Sequence, residues 1–375
     1  MNNEICRITG AEFPLFAFSH CRDVVAAVSR AGGFGVLGGS GFTPDTLEEE
    51  LAWIDAHVDG KPYGIDILIP ENQPVAADSS LAALAAKIPA RHIDFTVDLL
   101  ARHGISIERD QVVSNRRPPT MPDVGEALMD VAFRHPIRLI ANALGVAPPS
   151  MIERGKQHGV PVAALVGAKE HALRQLEAGV DVIVAQGSEA GGHCGEVSTL
   201  VLVPEVVRAV NAVRAVPVLA AGGIMTGEQM AGVMAMGAQG AWTGSVWLAT
   251  VEAETSLAFR DKMVAATSRD TIRSKARTGK YSRQLRSKWH DAWEGPDSPG
   301  SLPMPLMPML TIEPFAAIER SAEAGNPEAR ELVSYFVGQG VGLVESVQGA
   351  ASVVQDFKEG FASALGTMME AIGGD

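Results

Sequence analysis

A single histidine, His193, stands among Gly187, Gly191, Gly192 and Gly195, directly after the apolar run Val180, Val182, Ile183 and Val184. Imidazole has an unperturbed pKa of about 6.5, so it suits proton abstraction near neutrality. An isolated histidine is more commonly structural or merely exposed. This one lies past a β-prone run, in a glycine turn with no apolar periodicity to make it core, where α/β barrels place their chemistry. Two more glycine turns follow: Gly222-Gly223 after Pro217–Ala221, and Gly244-Ser245 within Gly240–Leu248. Paired glycines at strand ends let backbone amides approach and cradle a phosphate. Gln186 ends the His193 strand, and an amide there both donates and accepts, so it needs partners. A metal reading of Glu189, His193 and Cys194 fails, because Gly191 and Gly192 oppose a helix through them and no further donors lie at zinc spacing.

Residues at strand ends need strands to carry them. Eight runs qualify: Pro14–Phe18, Phe34–Leu37, Tyr63–Ile69, Ile137–Ala143, Val160–Val166, Val180–Gln186, Val216–Ala221 and Gly240–Trp247. Amphipathic stretches separate most of them, and this alternation predicts an α/β fold, a closed (β/α)8 TIM barrel. Thr43-Pro44-Asp45 opens one helix with proline in its first turn, and Gly179 stops another that begins near Lys169. Residues 71–130 hold too much for a simple crossover and read as an insertion after the third strand, including the basic, proline-marked SNRRPPT at 114–120. After Thr250 helical patterns run to the end, broken by GPDSPGSLPMPLMPM at 295–309, whose prolines cannot continue a helix. The expected division is a barrel over 1–250 and a helical C-terminal cap region over 251–375. That cap packs beside the barrel mouth or at a subunit contact, which leaves room for a homo-oligomer. Residues beyond 357 read as dispensable.

Composition narrows the class. The chain has 375 residues, 46% hydrophobic and 20% charged, which fits a globular protein able to bury a large core. Its net charge of −13 opposes broad binding to nucleic acid or anionic membranes, leaving small molecules as the expected partners. Cys6, Cys21 and Cys194 are odd in number and scattered, so a disulfide framework is not expected and a reducing compartment fits. No secretory leader or membrane-spanning stretch is read in the sequence, so a cytoplasmic location is expected.

The blocks AQGSEAGGHCG, AAGGI and WTGS resemble the nitronate monooxygenase family, once called 2-nitropropane dioxygenase, and also occur in the FMN-type enoyl-acyl carrier protein reductases. VVAAVSRAGGFGVLGG at 24–39 resembles the family's first helix and second strand, YGIDILIP at 63–70 its third strand, and TSRDTIRSKARTGKYSRQLRSKW at 267–289 its C-terminal segment. Residues 317–357 resemble its closing helices, and 74–130 match poorly. The resemblance implies FMN on a (β/α)8 barrel, with His193 as an active-site base or substrate-orienting group. Gln186, Gly191, Gly192, Gly222, Gly223, Trp242, Thr243, Gly244 and Ser245 would contact the flavin, the last two turns holding its phosphate; Ala17, Phe18 and Asp66 join them from the first and third strands.

Three departures stand out. The family's third-strand asparagine is replaced by Asp66 in Gly64-Ile65-Asp66; beside an electron-rich reduced flavin that carboxylate must be protonated, paired or turned away. Ala143 takes the place of a second histidine on the fourth strand. Ala17-Phe18-Ser19-His20 replaces a proline-methionine turn, and His20 is a candidate for the missing imidazole at the substrate side. The first functional reading is an FMN-dependent nitronate monooxygenase that uses O2 to convert alkyl nitronates to carbonyl compounds and nitrite. An alternative is an NAD(P)H-dependent flavin reductase of a quinone or enoyl thioester. A third is a flavin-free lyase, isomerase or ligand binder, disfavoured because no strand ends in a lysine and only Asp66 and Glu189 are obvious carboxylates.

Overall fold

The computed structural model describes residues 1–69, 80–116 and 122–373, so part of the 71–130 insertion, including most of SNRRPPT, lies outside the described residues. Its strands are Leu15–Ser19 (β1), Phe34–Gly38 (β2), Tyr63–Asp66 (β3), Ile140–Asn142 (β4), Val162–Val166 (β5), Val182–Gln186 (β6), Gly192–His193 (β7), Val218–Ala221 (β8), Gly240–Thr243 (β9), Thr271–Ser274 (β10) and Ser282–Leu285 (β11). Eight of them close a parallel barrel in the order β1-β2-β3-β4-β5-β6-β8-β9, each within one of the eight runs expected from the sequence or overlapping it closely. The last run stops early: Gly244 leaves the extended region at φ −129°, ψ −59°, and Ser245–Ala249 coils into a 3-10 turn.

Strand alternation sorts the side chains into two layers. Phe16, Phe34, Val36, Ala141, Val184 and Leu219 fill the barrel, while Leu15, Leu37, Ile65, Ile183 and Ala220 face the surrounding helices. The strands read as continuous apolar runs because both layers exclude water. The N-terminal helix Glu4–Thr9 contributes Ile5 and Cys6 to the interior cluster.

A second core lies outside the barrel. Leu84, Leu99 and Leu100 of the insertion pack with Trp289, Leu310 and Ile318 of the C-terminal region. The helix Pro122–Ala132 belongs instead to the barrel's outer layer, through Leu128 and Met129. The C-terminal region is mostly helical, as expected, but its helices are joined by an antiparallel pair, β10 and β11, that the sequence reading did not contain.

The closing helix, Ala350–Ala371, returns to the barrel wall. Phe361 lies beyond the boundary at which residues read as dispensable, yet it is 7% exposed and meets Phe13 edge-on at 5.8 Å. A helix turn that buries an aromatic ring is part of the core, so that expectation is corrected. Phe361→Ala is expected to destabilise the chain by about 3 kcal/mol, the usual cost of emptying an aromatic site, measured by urea unfolding.

Candidate functional site

Register and parity assemble the mouth of the barrel. Phe16, Trp242, Ala221 and Gln186 occupy adjoining positions around β1, β9, β8 and β6, and Gly38 adjoins Asp66 across β2 and β3. Phe18, Asp66, Ala143, Gln186 and Trp242 therefore share the inward parity at the carboxyl ends of their strands, where such barrels hold their chemistry. Trp242 stacks on Phe16 and Phe18 at centroid distances of 6.2 and 6.4 Å, giving that side of the mouth an aromatic floor. Ala17 and Thr243 have the opposite parity. Ala17 is packed in the outer layer, and Thr243 donates to the Phe16 carbonyl while receiving Trp247 Nε1, so both reach the mouth through backbone alone.

His193 is held by structure rather than left in a free turn. Gly192 and His193 form β7, which pairs antiparallel with β11 in the register Ser282–His193 and Arg283–Gly192. Gly192, at φ 76°, lets the chain turn into that ladder. His193 Nε2 lies 2.8 Å from Thr278 Oγ1, whose own hydroxyl reaches the Lys280 carbonyl at 3.0 Å. A hydroxyl has one hydrogen, so with that hydrogen on Lys280 the imidazole carries its proton on Nε2 and presents Nδ1 as a free lone pair. The ring is open to solvent, yet protein crowds it closely enough that burial, with the charge of Lys280, pushes its pKa down to about 4. His193 is accordingly a neutral acceptor at physiological pH. Thr278 escaped the sequence reading because its partner lies 85 positions away.

The glycine turns converge on the same mouth. Gly222 and Gly223 adopt φ 106° and 74°, and a Cβ on Gly222 would come within 2.8 Å of Thr199 Oγ1. Among the described residues no backbone carbonyl receives the amides of Gly222 or Gly223. A Cβ on Gly244 would meet nothing within 4 Å, so that turn faces open space. These features fit a phosphate cradle. Glu189 borders it, since a Cβ on Gly223 would lie 3.0 Å from Glu189 Cβ, but its carboxylate is taken up by Thr199, accepting from Thr199 N at 2.9 Å and Thr199 Oγ1 at 3.0 Å. One contributor was not anticipated. The segment from Val337 to Gly340 threads between these loops, with Gly338 N donating to Ser245 Oγ at 2.8 Å and Gln339 N to the Glu189 carbonyl at 2.8 Å. Its sequence signal is the spaced glycines of GQGVG: a Cβ on Gly338 would lie 2.6 Å from the Glu189 carbonyl oxygen.

On the far side of the mouth stand Asp66, His20 and Ala143. His20 Nδ1 donates to the Gly38 carbonyl at 2.9 Å; the residue is open to solvent, yet protein crowds the ring closely enough to hold it below its ordinary pKa, so its Nε2 is also a free acceptor. Asp66 is 4% exposed. Burial raises its pKa to about 7, with only the amide of Ala143 opposing the shift. Because the folded pKa exceeds the unfolded value of 3.8, Asp66 favours folding fully at low pH and that contribution is lost as pH rises through about 7. Asp66→Asn is therefore expected to raise the melting temperature at pH 8 much more than at pH 4, the difference growing by roughly 1.4 kcal/mol per pH unit up to about pH 7 and levelling off above it. Equal gains at both pH values would contradict the buried-acid assignment.

Comparisons with known proteins agree with this geometry. The sequence profile of the family described as "Nitronate monooxygenase" matches residues 18–360. A Mycobacterium tuberculosis (strain ATCC 25618 / H37Rv) protein named "Putative monooxygenase Rv1533" is 51% identical over 98% of this chain and 98% of its own. A Staphylococcus aureus (strain JH9) protein named "Probable nitronate monooxygenase" is 27% identical over 90% of this chain and 91% of its own. The crystal structure of nitroalkane oxidase from Streptomyces ansochromogenes shares the fold, with a TM-score of 0.79 at 24% identity over 97% of this chain and 99% of that one. With that match along nearly its whole length and a closed parallel barrel bearing its glycine turns at one mouth, the chain belongs to the nitronate monooxygenase family and is a flavin-dependent oxidoreductase.

Proposed function

We propose that the protein binds FMN at the barrel mouth and oxidises alkyl nitronates with O2 to carbonyl compounds and nitrite. The observation that carries this reading is the convergence of three elements on one mouth: the aromatic floor of Phe16, Phe18 and Trp242, the amides of Gly222 and Gly223, and the neutral imidazole of His193. The Gly222-Gly223 and Gly244-Ser245 turns would hold the phosphate, and Gln186, Asp66 and Trp242 would border the ring. When bound, the flavin supplies the electron transfer, and the protein supplies binding, orientation and proton handling.

His193 acts through Nδ1. With a neutral nitroalkane, Nδ1 takes the α-proton, the C–H bond breaks, and its electron pair moves into the nitro group to leave the nitronate. An anionic product beside the ring favours the imidazolium that forms. Thr278 holds the ring in the tautomer that leaves Nδ1 free, and Lys280 places positive charge beside the anion. A preformed nitronate needs no such proton transfer, only orientation.

FMN is expected to be released from the purified protein on denaturation, identified by mass. Gly223→Asp is expected to abolish its binding with the far-UV circular dichroism unchanged, because a carboxylate in the cradle repels phosphate at close range. FAD in the supernatant, or full FMN occupancy in the variant, would reject the site. His193→Asn is expected to keep the flavin and lower turnover by about 10²–10⁴-fold. The loss should be greater with a nitroalkane than with its nitronate. On the acid side, wild-type turnover of the nitroalkane should hold until pH drops towards about 4, where the imidazole protonates. An equally active variant would remove His193 from the chemistry, and flavin bleached by NAD(P)H but not by nitronate would replace the substrate.

A further inference from the structure

Asp66 presents an incomplete hydrogen-bond account. Its carboxyl closes β3 with inward parity, beside Gly38 on β2 and Ala141 on β4, and is 4% exposed. The amide of Ala143 donates to the carboxyl group, whereas Oδ1 is buried and has no partner. Leaving such an orphan is costly, and buried polar atoms are almost always satisfied by something. Among the described residues, no charged group acts on the carboxyl to hold it ionised. With Ala143 serving one oxygen, a proton on Oδ1 leaves an O–H that the chain itself gives no acceptor.

We propose, resting on the FMN reading, that Asp66 meets the flavin as a neutral carboxylic acid that turns about its Cβ–Cγ bond to donate its O–H to an acceptor atom of the ring system, a turn required because Oδ1 is closed off from solvent where it stands. The acid then does what an amide N–H2 would do at this position, but only while it keeps its proton. FMN binding is thereby coupled to proton uptake: the bound state favours the neutral form, so affinity is highest where Asp66 is already protonated. It weakens as pH rises past about 7. The opposite arrangement, an ionised Asp66 accepting from a ring N–H, would make affinity rise with pH.

Among the described residues, other titratable groups facing this part of the mouth are few. From the turn after β1 comes His20, whose ring packs over Gly38 and whose pKa is lowered by burial. Gly38 and Gly39 at the end of β2 and Ala141, Asn142 and Ala143 at the end of β4 carry no titratable side chain. His193 lies at the β6 end with Lys280 beside it, and His193 is neutral above about pH 4.

The test is a titration of flavin-stripped protein with FMN, followed by quenching of flavin fluorescence from about pH 6.5 to about pH 9, above the phosphate's second pKa near 6. Wild type is compared with Asp66→Asn, which keeps a donor but cannot titrate, and with Asp66→Ala, which has neither; circular dichroism checks each fold. The expected result is a wild-type Kd that weakens by up to about tenfold per pH unit above pH 7, the limit for one coupled proton. Asp66→Asn should bind with little pH dependence, and Asp66→Ala should bind weakly throughout. A wild-type profile parallel to that of Asp66→Asn, or one that tightens with pH relative to it, overturns the inference while leaving FMN binding intact. Folded proteins that bind no FMN at any pH overturn the FMN reading and this inference with it.

Discussion

Two residues of backbone pairing hold this site together. Gly192 and His193 pair with Arg283 and Ser282, and through that ladder the loop after β6 becomes the edge of a sheet whose other strands come from about ninety positions later. Without the ladder His193 would sit in a glycine-rich loop free to sample many orientations, and proton transfer tolerates little misplacement. The pairing also brings Thr278, on the connection between β10 and β11, to within hydrogen-bond reach of the ring, so one element sets both the position and the tautomer of the imidazole. The C-terminal region is thus a wall of the site rather than an appendage to the barrel.

The rest of the architecture serves that arrangement. Packing between the insertion and the helices after residue 250 builds a second hydrophobic core, which anchors β10 and β11 where they can meet β7. The helix Ala350–Ala371 brings the chain back to the barrel's outer layer, so the C-terminal region is tied down at both ends. Between these anchors, the Val337–Gly340 segment approaches the loops after β6, β8 and β9 so closely that only glycine backbone fits at Gly191 and Gly338.

Electrostatically the mouth is arranged around neutrality. Burial lowers His20 and His193 and raises Asp66, so across the mouth the imidazoles are neutral and the carboxyl keeps its proton up to about pH 7. Desolvation always disfavours the charged form, which is why acid and bases shift in opposite directions in the same place. A site built this way exchanges protons at little cost in net charge, and it leaves the positive charge of Lys280 at the rim to act on an anion.

Local pattern along the chain was enough to expect the barrel and to locate the glycine turns at its strand ends. Apolar runs buried on both faces, separated by amphipathic helices, admit few other folds, and glycine pairs at strand ends mark where backbone must turn or approach something closely. Those patterns pointed to His193, Gln186 and the Gly222-Gly223 turn as candidates, whereas Asp66 and Trp242 entered only through the family resemblance. Parity was legible only with the strand register, so Ala17 and Thr243 were grouped with the mouth although their side chains face away from it. The pairing of β7 with β11, the Thr278 hydroxyl on His193 and the passage of Val337–Gly340 through the loops were decided by tertiary structure alone. The physical reason is range. Periodicity and turn chemistry act over a few neighbouring residues, whereas these contacts join residues from 85 positions apart, at His193 and Thr278, to 150 apart, at Glu189 and Gln339 (339 − 189), whose meeting depends on how the second core docks against the barrel.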